Sequence, residues 1–264
     1  MNLLKKHIKL IQNQLNKLGL QAGAEDGLVG NKTKTALNKV SELPSDWNFK
    51  KKAIGFIQLQ CKSSGIDAGS IDGYWGPQTD YAFGVLNELV KTGIMPLPWR
   101  DIVPLDVNPN NWPKQEEVFM NNFFGDVGDN QKRLQLPYPH RLSWDKRKIV
   151  NSIYCNTKVH YSLNKVLTNV LNHYGIEEIK RLRLDIWGGC LNVRKMRGGT
   201  KWSTHSWGVA LDYDPENNSL KWGREKASFA KPDYDKWWEF WEEEGWTSLG
   251  RTKNYDWMHI QAVK

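Results

Sequence analysis

The sequence lacks any apolar run long enough to cross a membrane. Among its 264 residues no segment approaches the roughly 20 consecutive apolar residues that a membrane-spanning helix needs. Residues 1–20 alternate polar and apolar side chains at helical spacing, without the continuous apolar core and small-residue cleavage site of a secretory signal. We therefore expect a protein with neither a transmembrane segment nor a signal peptide.

Cysteine is also scarce. The three cysteines, Cys61, Cys155 and Cys190, are an odd number and include no C-x-x-C pair. This usage argues against a disulfide framework and against a zinc site made of thiolates. Synthesis in a reducing cytoplasm fits it.

A clustered basic stripe is the third absence. The chain has a net charge of +8, but its basic residues are spread over both halves and no nucleic-acid-binding module is recognisable. We therefore expect no nucleic-acid partner. A mildly cationic surface instead favours adsorption to an anionic polymer or envelope.

The front of the chain contains an internal repeat. The segment IQNQLNKLG from Ile11 aligns with IQLQCKSSG from Ile57, and DGLVGNKTKTAL from Asp26 aligns with DGYWGPQTDYAF from Asp72. The offset is 46 residues throughout. Each copy predicts an amphipathic helix that ends at a glycine, a turn at Asp-Gly and a second helix.

This repeated pattern, with D-G-x-x-G-x-x-T between the two helices, resembles the peptidoglycan-binding domain of bacterial and phage wall-degrading enzymes. The resemblance covers residues 3–42 and 49–92 and implies two small all-α modules of three-helix type that bind bacterial peptidoglycan. In the second copy, Tyr74 and Trp75 are the candidate glycan contacts, because exposed aromatic rings combine a large apolar face with a polar tip. Packing inside the module is the alternative role for both rings.

The rest of the chain predicts a second, larger fold. Residues 96–113 are rich in proline and show no helical period, which indicates a linker or an extended segment held against the protein. Helical spacing follows over residues 150–175, and strand-like segments follow near Ile186, Asp212 and His259. Helices followed by a few strands predict an α+β domain, with helices packed on a small antiparallel sheet.

Three residues of this larger part form a candidate metal site. Catalytic zinc sites use three histidine or carboxylate ligands and keep a fourth position open, and His205, Asp212 and His259 supply such a set. His205 and Asp212 are an odd number of residues apart, so they need a bend to face one side of a strand, and Gly208 is suited to provide it. Asp256, three residues before His259, is free to act as a general base.

Other catalytic sites are less consistent with the sequence. No H-E-x-x-H occurs, which excludes a thermolysin-like helix site. Cys190 with His205 lacks the orienting residue of a cysteine amidase, and the acidic run 242–244 is more typical of a solvated helix face than of a glycosidase pair. Neighbouring aromatic residues are predicted for the core: Trp237, Phe240 and Trp241. The remaining histidines are predicted to be structural or surface residues: His7, His140, His160 and His173.

The full string S-x-H-x-x-G-x-A-x-D from Ser203, followed by D-x-x-H from Asp256, resembles the M15 group of zinc peptidases. This group comprises D-Ala-D-Ala carboxypeptidases and L-Ala-D-Glu endopeptidases of peptidoglycan, and the resemblance extends loosely upstream to about residue 118. It implies Zn²⁺ bound by three residues, with Asp256 as the catalytic base. The implied ligands are His205, Asp212 and His259.

The same resemblance implies roles for residues beside the ligands. Arg194 matches an arginine that faces the substrate or the developing oxyanion, where a fixed positive donor is stabilising. Ser203 either orients the substrate or the metal ligands, or is a turn hydroxyl. Trp207 and Trp257, which adjoin the motif histidines, are candidate substrate contacts.

The sequence thus predicts a monomeric, modular peptidoglycan hydrolase that resembles a phage endolysin. Such an enzyme would accumulate in the host cytoplasm and act on the cell wall after release. The D-x-x-H motif favours cleavage of L-Ala-D-Glu; a D-Ala-D-Ala carboxypeptidase and a non-catalytic wall-binding protein are the alternatives. The expected domains are wall-binding modules at residues 1–46 and 47–95, a linker at 96–113 and a zinc peptidase domain at 114–264.

Overall fold

The computed structural model describes residues 3–96, 107–196 and 199–264. In these residues the chain is an α+β protein with eight α-helices and one six-stranded sheet. It divides into two compact units, and each is described by itself. No helix in the described ranges is long and apolar enough to span a membrane.

The first unit is built from four helices that follow the sequence repeat: α1 (Lys5–Lys17), α2 (Asn31–Asn38), α3 (Phe49–Ser63) and α4 (Pro77–Thr92). The Asn48 side chain caps α3 by accepting a hydrogen bond from the Lys51 backbone N–H at 2.9 Å. Pro77 opens α4, where a missing N–H costs nothing. Each repeat therefore contributes two α-helices within the described residues, whereas the resemblance predicts three-helix modules.

A buried glutamine in each repeat ties the loop to the second helix. Gln12 Nε2 donates to Asp26 Oδ1 at 3.0 Å and to Thr33 Oγ1 at 3.2 Å. Gln58 bonds the equivalent residues, 46 positions later, at the same two distances. The sequence repeat is therefore a repeat of hydrogen bonds as well as of helices.

The Asp-Gly step of each loop requires glycine. Gly27 and Gly73 have φ of 78° and 69°, in the left-handed region that residues with a Cβ avoid. An added Cβ would also come within 2.7 Å of a helix carbonyl oxygen in both loops. These two constraints explain why D-G recurs in the repeat.

The two repeats share one hydrophobic core. Buried side chains from all four helices form a single cluster. His7 of the first repeat is 1% exposed and packs against Trp75 and Phe83 of the second, with ring centroids 4.7 and 4.6 Å apart. The first unit is therefore held together by contacts between the repeats as well as within them.

The second unit contains the sheet. Its elements are α5 (Glu117–Phe124), β1 (Gln131–Leu142), β2 (Asp145–Asn156), α6 (His160–Arg181), β3 (Ile186–Gly189), β4 (Ala210–Tyr213), α7 (Asp235–Glu243), β5 (Thr247–Ser248), α8 (Leu249–Lys253) and β6 (His259–Gln261). The strands lie in the order β2-β1-β3-β4-β6-β5. Only β1 and β3 are parallel; the other neighbouring strands are antiparallel.

The sheet is therefore mixed, whereas the sequence predicts an antiparallel one. The reason is the long connection through α6, which packs against β1 and is broken at Gly175, where φ is 69°. This connection carries the chain from β2 back across the sheet, so that β3 enters beside β1 in the same direction. A hairpin cannot make such a parallel pair.

Aromatic side chains fill the core beneath the sheet. Trp237 and Trp241 of α7 are at most 1% exposed, which confirms the prediction that they are core residues, whereas Phe240 is only partly buried. The Trp237 ring meets Tyr213 of β4 edge-on, with centroids 5.0 Å apart. This packing supports β4 from behind, and β4 carries one of the candidate ligands.

Part of the predicted linker belongs to the second unit. Trp112 is 4% exposed, and its indole N–H donates to the Glu244 carbonyl at 3.0 Å. Asn110 Nδ2 donates to the same carbonyl at 2.9 Å and to the Glu244 carboxylate at 3.0 Å. Glu244 is thus buried, where the sequence predicts a solvated face. For residues 107–113, the alternative of an extended segment held against the protein is therefore correct. Residues 97–106 of the predicted linker lie outside the described residues.

We expect the Trp112→Ala substitution to destabilise the second unit. Removing a buried tryptophan leaves a cavity and deletes one of the two hydrogen bonds that the Glu244 carbonyl accepts, which costs about 3–5 kcal/mol. Trp144→Ala is the matched control, because Trp144 is 65% exposed. Equilibrium denaturation followed by circular dichroism measures both, and an equal loss of stability in the two variants would contradict the assignment of Trp112 to the core.

His140 is a buried neutral histidine in β1. Its Nδ1–H donates to the Tyr138 carbonyl and its Nε2 accepts from the Tyr213 hydroxyl, both at 3.0 Å. Burial lowers the pKa of His140 to about 4, against smaller opposing effects of the Tyr138 carbonyl and Asp185. This environment agrees with the structural role predicted for it.

This histidine makes stability fall as the pH falls. Between about pH 6.5 and pH 4 the unfolded chain binds a proton at this imidazole and the folded protein does not, so protonation favours unfolding. The resulting decrease in the free energy of unfolding approaches roughly 3 kcal/mol near pH 4. We expect His140→Gln, which cannot be protonated, to flatten the pH dependence of the free energy of unfolding in this window. Identical slopes in both proteins would contradict the assignment.

Candidate metal centre

The three candidate ligands lie on neighbouring elements of the second unit. His205 lies in a short 3-10 helix, Thr204–Trp207, which Gly208 ends with φ of 64°. Asp212 on β4 and His259 on β6 are directly opposite each other in the antiparallel pair. Opposite residues project from the same face of a sheet, and the turn at Gly208 brings His205 to that face.

The three ligand atoms form a compact triangle. His205 Nε2 lies 3.2 Å from His259 Nδ1 and 3.3 Å from Asp212 Oδ1, and His259 Nδ1 lies 3.0 Å from the same oxygen. In a tetrahedral zinc site with bonds of roughly 2.0–2.1 Å, neighbouring ligand atoms stand about 3.3 Å apart. The structure thus brings the three predicted ligands together as a group that can hold a metal ion.

In each histidine of the triangle, the ring nitrogen that points away from the other ligands is hydrogen-bonded to the protein. The nitrogen that points into the triangle, the inner nitrogen, is therefore available to bind a metal. His205 Nδ1 lies 2.7 Å from the Cys190 carbonyl oxygen, so Nδ1 carries the proton and Nε2 keeps a lone pair. His259 Nε2 lies 3.1 Å from Gln261 Oε1, so in the neutral imidazole the proton is on Nε2 and the lone pair on Nδ1. An outer acceptor that sets the tautomer is typical of metal-binding histidines.

Burial and charge act in opposite directions on this group. Burial alone raises the pKa of Asp212, but the two imidazoles hold it well below its usual range. Burial alone lowers the pKa of His259, whereas the hydrogen bond and the charge of Asp212, with a contribution from Asp256, raise it to about 9. The triangle therefore favours positive charge at its centre, which a metal cation supplies.

Asp256 lies at the turn that leads into β6. Its φ of 54° is in the left-handed region, which is costly for a residue with a side chain. Its carbonyl accepts a hydrogen bond from the His259 N–H at 3.0 Å, and its side chain is 7% exposed. Its charge raises the pKa of His259, although it is not one of the three triangle residues. This position suits a carboxylate that accepts protons beside the site.

Arg194 and Ser203 lie on a loop that leads to the first ligand. The Ser203 N–H donates to the Arg194 carbonyl at 3.0 Å, and Lys195 and Trp202 form a bridge between the two arms of the loop. Ser203 is 6% exposed and precedes the 3-10 helix. Arg194 as a whole is half-buried, and its guanidinium donates to the Lys195 carbonyl at 3.3 Å. Its predicted contact with a substrate stays a prediction.

Four aromatic residues named as substrate contacts have different surroundings. Trp207 and Trp257 are buried, 2% and 1% exposed, and their indole N–H groups are bonded within the protein. In the first unit, Trp75 packs on His7, and only Tyr74, at 39%, is well exposed. Tyr74 is therefore the ring with the most open face for a ligand.

Cys190 contributes its backbone to the site. Its side chain is 2% exposed, and burial raises the pKa of its thiol well above the usual value. A catalytic cysteine needs a lowered thiol pKa. The cysteine-amidase alternative therefore has no support from this environment, and the Cys190 carbonyl instead orients His205.

Two glutamines next to the site were not identified from the sequence. Gln261 follows His259 by two residues on β6, so the alternation of a strand puts both side chains on one face. Gln115 accepts a hydrogen bond from Gln261 Nε2 at 3.1 Å. Gln115 also lines a groove of about 220 Å³, together with Glu116, Met196, Lys201 and Trp202. The strand alternation could have indicated Gln261, but no local signal indicates Gln115.

Comparison with known proteins identifies no protein that is similar to this chain. No family model, no curated protein and no solved structure matches this chain. The assignment of the metal ligands therefore rests on their geometry, burial and hydrogen bonds.

We expect the protein to bind one zinc ion per chain. The Asp212→Asn substitution should abolish this stoichiometric binding, because it replaces the anionic ligand that balances the cation. His173→Ala, at an exposed histidine of α6, is the matched control and should bind zinc normally. Metal analysis after equilibrium dialysis checks both, and one equivalent of zinc in Asp212→Asn would contradict the ligand assignment.

Proposed function

We propose that this chain is a zinc-dependent peptidoglycan hydrolase that cleaves the stem peptide, most consistently at the L-Ala-D-Glu bond. The observation that carries the proposal is the triangle of His205, Asp212 and His259 with Asp256 beside it. Two histidines and one carboxylate are the ligand type of hydrolytic zinc sites, which keep a fourth position for water or substrate. The resemblance of the motifs to those of wall peptidases suggests the stem peptide of peptidoglycan as the substrate.

Different residues of the site have different roles in the proposed hydrolysis. His205, Asp212 and His259 would hold zinc, which supplies a Lewis acid that polarises the scissile carbonyl and acidifies water. Asp256 would accept the proton of the attacking water as the new C–O bond forms. The same carboxyl group would then give that proton to the amine nitrogen as the C–N bond breaks. Arg194 is the proposed donor to the developing oxyanion.

The repeat of the first unit supports action on the wall polymer. Its paired loops resemble wall-binding domains, and Tyr74 offers a half-exposed ring beside Lys51, whose ammonium lies 5.0 Å from the ring centroid. An anchor on the polymer raises the local concentration of stem peptides around the peptidase. The net charge of +8 favours association with the same anionic envelope. These features support an endolysin-type enzyme that works on intact wall.

The main alternative role is wall binding without catalysis. A chain that had lost catalysis would be expected to carry a substituted ligand or base. All three ligands and Asp256 are present, and both ligand imidazoles have outer acceptors that leave their inner nitrogens free. This arrangement favours a catalytic role.

We expect the Asp256→Asn substitution to separate metal binding from catalysis. The amide cannot accept the proton of the attacking water, so turnover of purified peptidoglycan should fall about 100-fold or more while zinc remains bound. Asp126→Asn, at an exposed aspartate of the same unit, is the control. If Asp256→Asn lost its zinc, Asp256 would be a ligand and the assigned role would be wrong.

Mass spectrometry of digested peptidoglycan identifies the bond. Cleavage of L-Ala-D-Glu releases peptides with a new N-terminal D-Glu and leaves L-Ala on the glycan strands. Release of free D-Ala from pentapeptide stems, without loss of turbidity, would instead indicate a D-Ala-D-Ala carboxypeptidase. Wall binding with neither product would favour the non-catalytic alternative.

A further inference from the structure

We propose that Gln261 and Gln115 are positioning residues that hold His259 in its metal-binding form. The inference deepens the metal site on which the proposed function rests. It links the ligand to a residue 146 positions before Gln261 in the chain. Neither glutamine belongs to the ligand triangle.

The directions of the two hydrogen bonds made by the Gln261 amide support this role. A ligating Nδ1 requires the His259 proton on Nε2, and that N–H needs an acceptor, which is Gln261 Oε1 at 3.1 Å. With its oxygen turned to His259, Gln261 presents its NH₂ group to Gln115 Oε1, also at 3.1 Å. If the Gln261 amide were flipped, its NH₂ would face Nε2, and the His259 proton would move to the ligating nitrogen. While Gln115 presents its Oε1, it therefore favours the Gln261 amide orientation that ligation needs.

Gln261 is held too firmly for water to replace it. It is 3% exposed and pairs through its backbone with Ala210 of β4 and Thr247 of β5. The other group near His259 Nε2 is the Thr204 hydroxyl, at the longer distance of 3.4 Å. The short contact on this side of the ring is thus the one to Gln261, and its loss would leave a buried N–H with a weaker partner.

Backbone pairing with the end of the chain fixes Gln115 beside Gln261. The Gln115 N–H donates to the Lys264 carbonyl at 2.9 Å, and the Lys264 N–H donates to the Pro113 carbonyl at 2.9 Å. Residues 113–115 therefore run alongside the segment that follows β6. Because the Gln115 side chain is exposed, solvent can partly replace its amide, so its effect should be smaller than that of Gln261.

The test measures the zinc affinity of the full-length protein by competition with a chelator of known affinity. We expect Gln261→Met, which matches the size of glutamine but accepts no strong hydrogen bond, to weaken zinc binding by about 10–100-fold. Gln261→Glu keeps an acceptor for His259 and should bind zinc at least as tightly as the wild type. Gln115→Met should weaken binding by a few-fold. Gln135→Met, at an exposed glutamine of β1, should have no effect.

A second readout distinguishes positioning from general destabilisation. The visible absorption spectrum of the Co²⁺-loaded protein reports the ligand geometry, and we expect it to change in Gln261→Met and to return in Gln261→Glu. If Gln261→Met does not fold, the comparison rests on Gln261→Glu and Gln115→Met, whose side chain lies at the surface.

Wild-type zinc affinity and an unchanged Co²⁺ spectrum in both methionine variants would overturn the proposal. The same changes in the Gln135 control would overturn it too, because they would not depend on the contact with His259. These measurements need no substrate. If the protein bound zinc as described but left peptidoglycan intact, the proposed function would fail while this inference stood.

Discussion

The second unit depends on one electrostatic constraint, the approach of three electron-rich atoms to within 3.3 Å of each other. His205 Nε2, Asp212 Oδ1 and His259 Nδ1 are all acceptors in the neutral forms of the histidines that their outer hydrogen bonds favour. Such atoms repel each other unless a cation lies between them. In the metal-free protein a proton bound to His259 can supply this positive charge, which agrees with the raised pKa of His259. The zinc ion that we propose would satisfy all three atoms at once, at the spacing that they already have.

The surrounding fold keeps these side chains in place before any metal arrives. Asp212 and His259 are fixed by strand register, and the 3-10 helix that ends at Gly208 brings His205 to them. Behind β4, the Trp237 ring of α7 packs on Tyr213 and leaves little room for the strand to shift. A dense core resists such displacement because any movement opens voids or causes clashes. The site is therefore preorganised by the backbone and the core together.

The sequence predicts best what depends on nearby residues. The repeat and the core role of the α7 tryptophans are local patterns, and the structure contains both. The convergence of the three ligands joins residues up to 54 positions apart, and it is predicted from the resemblance of two short motifs. The parallel pairing of β1 with β3 depends on a long connection, and no local pattern reveals its direction. Trp112 and Gln115 act on residues more than 100 positions away, through contacts that only the folded chain creates. The burial of Trp207 and Trp257 likewise depends on neighbours supplied by other elements.

X-ray absorption at the zinc K edge tests the central claim most directly, because it identifies the atoms bound to the metal in solution. Zinc held by His205, Asp212 and His259 should be surrounded by nitrogen and oxygen at about 2.0 Å, with no sulfur. The spectrum should also contain the multiple-scattering signature of two imidazole rings, which falls to one in zinc-loaded His205→Ala. A sulfur shell at about 2.3 Å, or a spectrum without imidazole scattering, would contradict it.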